Sequence, residues 1–337
     1  ILTSVHTFAL DPDRGIYILT FAAILGAYSL ILFGKNSKKY FNNNYFAFLS
    51  REGAILVNTI LMVIVCSTVF LGTIYPLIIE ALTNNKISVG EPYFNSTVIP
   101  IVIPAIIIMG MGPILSWKKE DKFKILKKIY PAVLISTTIT VAILFFYKST
   151  SVIGAIGIFL SFWIISNNLI ILTNKIKNYS VGMIIAHIGF GLLILGITGS
   201  SVWQTEKITR LKINEKTSIV KYNVVFEDIQ EIKGPNYVAL RGNFLVNDNE
   251  QNIITKLLPE NRFYPITNSF TTEASIHVNL FRDLYIVLGD GNLNDGWIVK
   301  IYHNPLVIWI WIGSFIIFLG GLYSISANFR KLKILPQ

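Results

Sequence analysis

Apolar runs of about 20 residues recur along the chain, near 15–34, 54–76, 97–116, 129–147, 152–173, 181–203 and 304–325. Each is long enough to cross a ~30 Å hydrocarbon core as a helix. Charged residues fall almost entirely between the runs. The pattern changes after residue 203. There "KITRLKIN" (207–214), "TSIVKYNVVFEDI" (217–229), "YVALRGNFLV" (237–246), "QNIITKLL" (251–258) and "GWIVKIYH" (296–303) alternate with period two. That is the signature of half-buried strands. Gly234-Pro235-Asn236, Asn247-Asp248-Asn249 and Asp290-Gly291-Asn292 are placed to turn the chain between them. The pattern predicts a polytopic α-helical membrane protein of about seven transmembrane helices with a small extracytoplasmic all-β domain, a barrel or sandwich. The predicted bounds are a membrane helical bundle over 1–203 (six helices), the β domain over 204–303, and the last helix with its tail over 304–337.

Composition agrees and charge adds an orientation. Of 337 residues, 53% are hydrophobic and 14% charged, unlike a soluble domain. The net charge of +10 first suggests a nucleic-acid partner. Its location argues otherwise. Segments 35–52, 117–128, 174–180 and 326–337 hold 15 of the 29 Lys and Arg and only three acids, Glu52, Glu120 and Asp121. Basic residues concentrated in short loops on one side are the positive-inside pattern. The N-terminus and β domain are therefore expected outside and the C-terminus inside, and no nucleic acid is called for. Residue 1 is Ile rather than Met, with no charged leader after it, so the chain reads as part of something longer. The single cysteine, Cys66, falls in a predicted span. It is expected to be a small buried apolar residue. Pro76, Pro100, Pro104, Pro113 and Pro131 sit in or beside spans, as membrane helices tolerate.

Candidate chemistry comes down to four histidines. His187 interrupts the apolar run "MIIAHIGFGLLILG" (183–196). An imidazole in hydrocarbon needs a partner. On a helix, Phe190, Gly191, Ile194 and Thr198 share or adjoin its face. Gly191, one turn away, is expected to leave flat open space beside the ring. Position alone leaves two readings, a histidine hydrogen-bonded within the bundle and an axial ligand to a metal centre. His6, in "SVHTFALDPDRG", precedes the first span, and His277 and His303 lie beside strand-like segments as structural or incidental residues. The chain contains no GxSxG, no HExxH and no phosphate loop.

Several blocks resemble a known family. They are "SREGAILVNTILMVIVCSTVFLGTIYPL" (50–77), "KISVGEPYFN" (86–95), "GMIIAHIGFGLLILGITGSSVWQTE" (182–206), "GPNYVALRG" (234–242), "PENRFYPI" (259–266), "TEASI" (272–276), "LFRDLYIVLGD" (280–290) and "WIVKIYHNPLVIWIWIGSFIIFLGGL" (297–322). In order, they are similar to the C-terminal half of CcmF, the membrane core of the system I cytochrome c haem lyase. The resemblance implies attachment of haem to the CxxCH motif of c-type apocytochromes in a bacterial or mitochondrial inner membrane. It implies haem as substrate, a b-type haem in the membrane, the haem chaperone CcmE, CcmH-type thiol subunits, and an N-terminal half of CcmF. By resemblance, His6 matches an outer haem ligand and His187 a membrane haem ligand. Each then lacks its opposite histidine, which belongs to the N-terminal half together with the family's tryptophan-rich segment. The rival readings are a non-catalytic assembly subunit and a membrane transporter or permease.

Overall fold

The structure, a computed structural model, describes residues 12–40, 47, 49–83, 87–118, 121–147, 150–173 and 180–334. Seven long helices form: α1 (Pro12–Tyr40), α2 (Arg51–Thr83), α3 (Glu91–Met111), α4 (Lys122–Phe146), α5 (Val152–Thr173), α6 (Val181–Val202) and α7 (Val307–Ile334). Among the described residues, six helices, α2 to α7, are long and apolar enough to cross a membrane. α1 occupies the first apolar run. Several helices overrun the apolar stretch that specified them. α4 opens on "KFKILKK" and α7 ends in "FRKLKI". Lys and Arg extend a membrane helix readily, because their stems lie along apolar surface while the charge reaches water. α3 runs unbroken through Pro100 and Pro104, and Pro113 falls in the 3-10 turn Gly112–Ile114 that follows.

The chain divides into two compact units, Ile1–Ile108 with Leu115–Lys122, and Met109–Ile114 with Phe123–Gln337. In the first, α2 packs on α3 where Gly72 leaves room for the Tyr93 ring. The Tyr93 hydroxyl donates to the Thr68 carbonyl at 3.3 Å. The start of α2 is tied to residues 116–118. Arg51 N donates to Ser116 O at 3.0 Å, and Lys118 N to the Glu52 carboxylate at 2.9 Å. Cys66 is exposed on α2, not buried as its residue type led us to expect. The reason is that α2 presents most of its surface outward, so a small apolar side chain there has little to pack on among the described residues.

The second unit is built on close helix contacts. Gly182, Gly189 and Gly196 recur every seven residues of α6 and face Gly320, Gly313 and Ile310 of α7 respectively. A Cβ on Gly189 would lie 2.7 Å from Gly313 O, and one on Gly313 would lie 2.6 Å from Gly189 O. Small residues at this spacing let two membrane backbones touch, which is how helices associate without a hydrophobic drive. α5 packs on another face of α6, with Gly157 against Thr198 and Gly191 against Ser161 and Ile165. Ile114, Ile171 and Ile184 form a buried cluster linking the 3-10 turn, α5 and α6.

The α6–α7 pair continues directly into sheet. β1 (Thr205–Leu211) follows α6, β10 (Gly296–Pro305) leads into α7, and the two strands pair antiparallel along their length. Between them lie β2 (Lys216–Ile219), β3 (Tyr222–Lys233), β4 (Val238–Asn247), β5 (Ile253–Leu257), β6 (Glu260–Tyr264), β7 (Ser269–Glu273), β8 (Ser275–Val278) and β9 (Arg282–Asn292). They form a four-stranded sheet ordered β1-β10-β9-β8 and a six-stranded sheet ordered β2-β3-β4-β6-β7, with β5 also on β4. The expected barrel-or-sandwich is thus a sandwich. Its core interleaves Val224, Phe226, Phe244 and Val246 of one sheet with Leu284, Ile286, Leu288, Val299 and Ile301 of the other. Phe226 and Phe244 stack at 4.6 Å and Trp297 meets Phe226 edge-on. Two ties fix the sandwich to the helices. Trp309 Nε1 donates to Leu280 O at 2.8 Å, and Leu306 N to Phe281 O at 3.0 Å.

Candidate functional site

α6 has two glycine-lined faces already taken, one by α7 and one by α5. His187 sits at the edge of the α5 face, since residues four apart in a helix are one turn apart and Gly191 marks that face. The ring is half-buried. Its Nδ1 is fully buried and has no hydrogen-bond partner among the described residues. On a flank beside it, α6 carries Phe190 and the exposed Ile197. The flat open space anticipated beside Gly191 is not there. A Cβ on Gly191 would lie 2.6 Å from Ile165 Cγ1, and Ser161 Oγ donates to Gly191 O at 2.9 Å. The missing side chain admits helix α5, not a ligand.

Sequence reading passed over two residues nearby. Asn167 and Asn168 are wholly buried in α5. Their side-chain nitrogens donate to Trp163 O at 2.8 Å and Ile164 O at 2.9 Å, but both Oδ1 atoms lack partners. Adjacent asparagines in the apolar run "FLSFWIISNNLIILT" were the available signal. His6 lies outside the described residues. Among those described, no three His, Cys, Asp or Glu side chains converge as a metal site.

The family described as the CcmF C-terminal beta-sandwich matches residues 202–305, the whole two-sheet domain. The chain is 32% identical over its full length to the cytochrome c-type biogenesis protein CcmF of Escherichia coli (strain K12), covering 53% of that protein. It is 31% identical over 99% of its length to CycK of Rhizobium meliloti (strain 1021), covering 52% of that one. The chain is similar to CcmF proteins throughout and carries their C-terminal sandwich. It corresponds to the C-terminal half and spans about half the length of the curated relatives it matches. A solved structure described as cytochrome c heme lyase CcmF shares the fold, with a TM-score of 0.65 over 82% of this chain and 46% of that one, at 20% identity.

Two of the CcmF-like sequence blocks turn out to be ties within the sandwich. In "PENRFYPI", Glu260 is buried between two arginines. It accepts from Arg241 Nε at 2.7 Å and Arg262 Nε at 2.7 Å. Burial alone pushes its carboxyl up, but the hydrogen bonds from Arg262 and Arg241 outweigh it and hold the group below the ordinary glutamate value. In "LFRDLYIVLGD", Arg282 is buried and lies over the Tyr222 ring at 4.6 Å. It donates to Tyr222 Oη at 2.9 Å, to His277 O at 3.1 Å, and to His277 Nδ1 at 2.7 Å. Arginine is always a donor, so Nδ1 accepts and His277 carries its proton on Nε2. Burial and the Arg282 charge push His277 down. The same two effects, with Lys221, push His303 down. His277 is structural, as its position suggested.

Proposed function

We propose that this chain is the C-terminal part of a membrane haem lyase core, which holds haem and attaches it to the CxxCH motif of c-type apocytochromes. The likeness to CcmF supports the reading. The observation that carries it is His187, a half-buried imidazole in an otherwise apolar membrane helix, beside a flank of α6 that carries Phe190 and the exposed Ile197. His187 would serve as one protein ligand to a b-type haem, with a second histidine supplied by the N-terminal half of CcmF.

The chemistry supplied there, when a b-type haem is bound, is one-electron transfer that keeps the substrate haem reduced. His187 would hold iron at Nε2, leaving Nδ1 for a hydrogen bond within the bundle. Phe190, Ile194 and Ile197 would exclude water and keep the local dielectric low. The glycine contacts of α6 with α5 and α7 would hold the ring still. His6 would bind the incoming haem on the outer face. The covalent step adds each cysteine S–H across a haem vinyl C=C, so no oxidant is consumed. The protein's share is to position thiol, vinyl and iron. The haem chaperone CcmE delivers the substrate and CcmH-type subunits present the reduced apocytochrome. The setting is the bacterial or mitochondrial inner membrane, with the sandwich outside and the C-terminus inside, as the basic loops require.

The test is maturation of a CxxCH cytochrome by this chain co-expressed with the N-terminal half, CcmE and CcmH, read as covalent haem after denaturing electrophoresis. His6→Ala and His187→Ala should each lower the yield at least tenfold. Equal maturation by both variants would refute the ligand roles and favour a non-catalytic assembly subunit. Solute flux without haem colour would identify a transporter.

A further inference from the structure

The unpartnered nitrogen of His187 has a complement on the neighbouring helix. α5 and α6 run antiparallel in a register fixed by several contacts. Ser161 Oγ bonds Gly191 O at 2.9 Å. Gly154 lies against Val202, Gly157 against Thr198, and Ile171 shares a buried cluster with Ile184. This register places residue 168 level with residue 187. The α6-facing stripe of α5 advances in steps of three and four through Gly154, Gly157, Ser161 and Ile165, and its next member is Asn168. Asn167, one residue away, is turned about 100° from that stripe. Asn168 is wholly buried, its Nδ2 is committed to Ile164 O at 2.9 Å, and its Oδ1 is unpartnered. An acceptor without a donor and a ring nitrogen without a partner thus face one interface at one height.

We propose that Asn168 is the positioning residue for His187, its Oδ1 accepting a hydrogen bond from Nδ1–H directly or through one water. Left apart, each buried polar atom is desolvated without compensation. A small rotation of either side chain, or one water between them, relieves both. The bond has a chemical consequence. A proton held on Nδ1 leaves the lone pair on Nε2, which fixes the ligating atom and its direction and makes the ring a stronger donor to metal. This rests on the reading of His187 as a haem ligand, but its first test does not.

That test uses the chain assembled with the N-terminal half and labelled with 15N-histidine. Without haem, solid-state NMR should find His187 as the Nδ1–H tautomer in the wild type. Asn168→Leu, similar in size but with no acceptor, should lose that preference, and Asn168→Asp should restore it. With haem, Asn168→Leu should weaken retention about 10- to 100-fold and raise the reduction potential, while His187→Ala removes the signal altogether. An unchanged tautomer and potential in Asn168→Leu would overturn the proposal. If the wild type binds no haem, the lyase reading fails, and the tautomer result still decides for or against Asn168.

Discussion

Among the single residues, glycine separates ligand space from packing space. A glycine beside a histidine looks, in sequence, like room for a flat ligand. At Gly191 the room is filled by Ser161 and Ile165 of α5. Gly191→Ala should therefore loosen the α5–α6 contact and lower thermal stability by about 1–3 kcal/mol, measurable by melting in detergent. His187 itself was legible, because an imidazole in an apolar run stands out. Its relation to Asn168 was not, since it depends on the register between two helices. Glu260 was also illegible as a buried ion. Its block reads as an ordinary polar strand end, and only the folding of β4 beside β6 brings Arg241 to it. Glu260→Ala leaves two arginines without their shared acceptor and should destabilise the sandwich by about 2 kcal/mol, read by chemical denaturation.

Within the elements, the periodic patterns transferred well wherever polarity contrast was strong. Strands β4, β5 and β10 fall within two residues of their apolar-polar alternation, and β1 within three. Two failures have physical causes. The run 217–229 is broken into β2 and β3 at Val220, which adopts a φ of +52 with no Gly or Pro to announce a turn. β9 was unread as a strand because its outward residues Tyr285 and Val287 are themselves apolar, so the alternation with Leu284, Ile286 and Leu288 is blurred. The turn foreseen at 290–292 is displaced. Gly291 and Asn292 still pair with Trp297 and Gly296, and Asn292 Oδ1 closes the turn by accepting from Asn294 N and Asp295 N. The sandwich also carries a pH dependence. His277 and His303 are both pushed down in the folded state, so the unfolded chain binds protons more readily. Their contribution is complete above the ordinary histidine value of about 6.5 and is lost as pH falls below it. Melting of the β domain should drop on acidification from pH 7 to pH 5, and His277→Gln should flatten the profile. In the membrane, Gly189→Leu should part α6 from α7, since even a Cβ there meets Gly313 O and Ile317 N. A variant that melts like the wild type would contradict the backbone-contact account.

Across the whole chain, two units are present, and the second joins a tight helix trio to a sandwich through paired strands that prolong α6 and α7. That junction makes the orientation of the sandwich depend on the same glycine contacts that hold His187. The first unit exposes long apolar faces on α1 and α2. Charge bias and apolar runs in the sequence told of a multi-pass protein, and the helices agree. On the proposed reading, the second ligand is a histidine of the N-terminal half of CcmF. The central claim is accordingly that His187 grips haem iron opposite a histidine of the N-terminal half. The most direct measurement is the reduced-minus-oxidised optical spectrum of this chain assembled with that half in membranes. The account predicts a bis-histidine b-type signal that vanishes in His187→Ala while the variant stays assembled. A signal of equal strength in wild type and variant would contradict it.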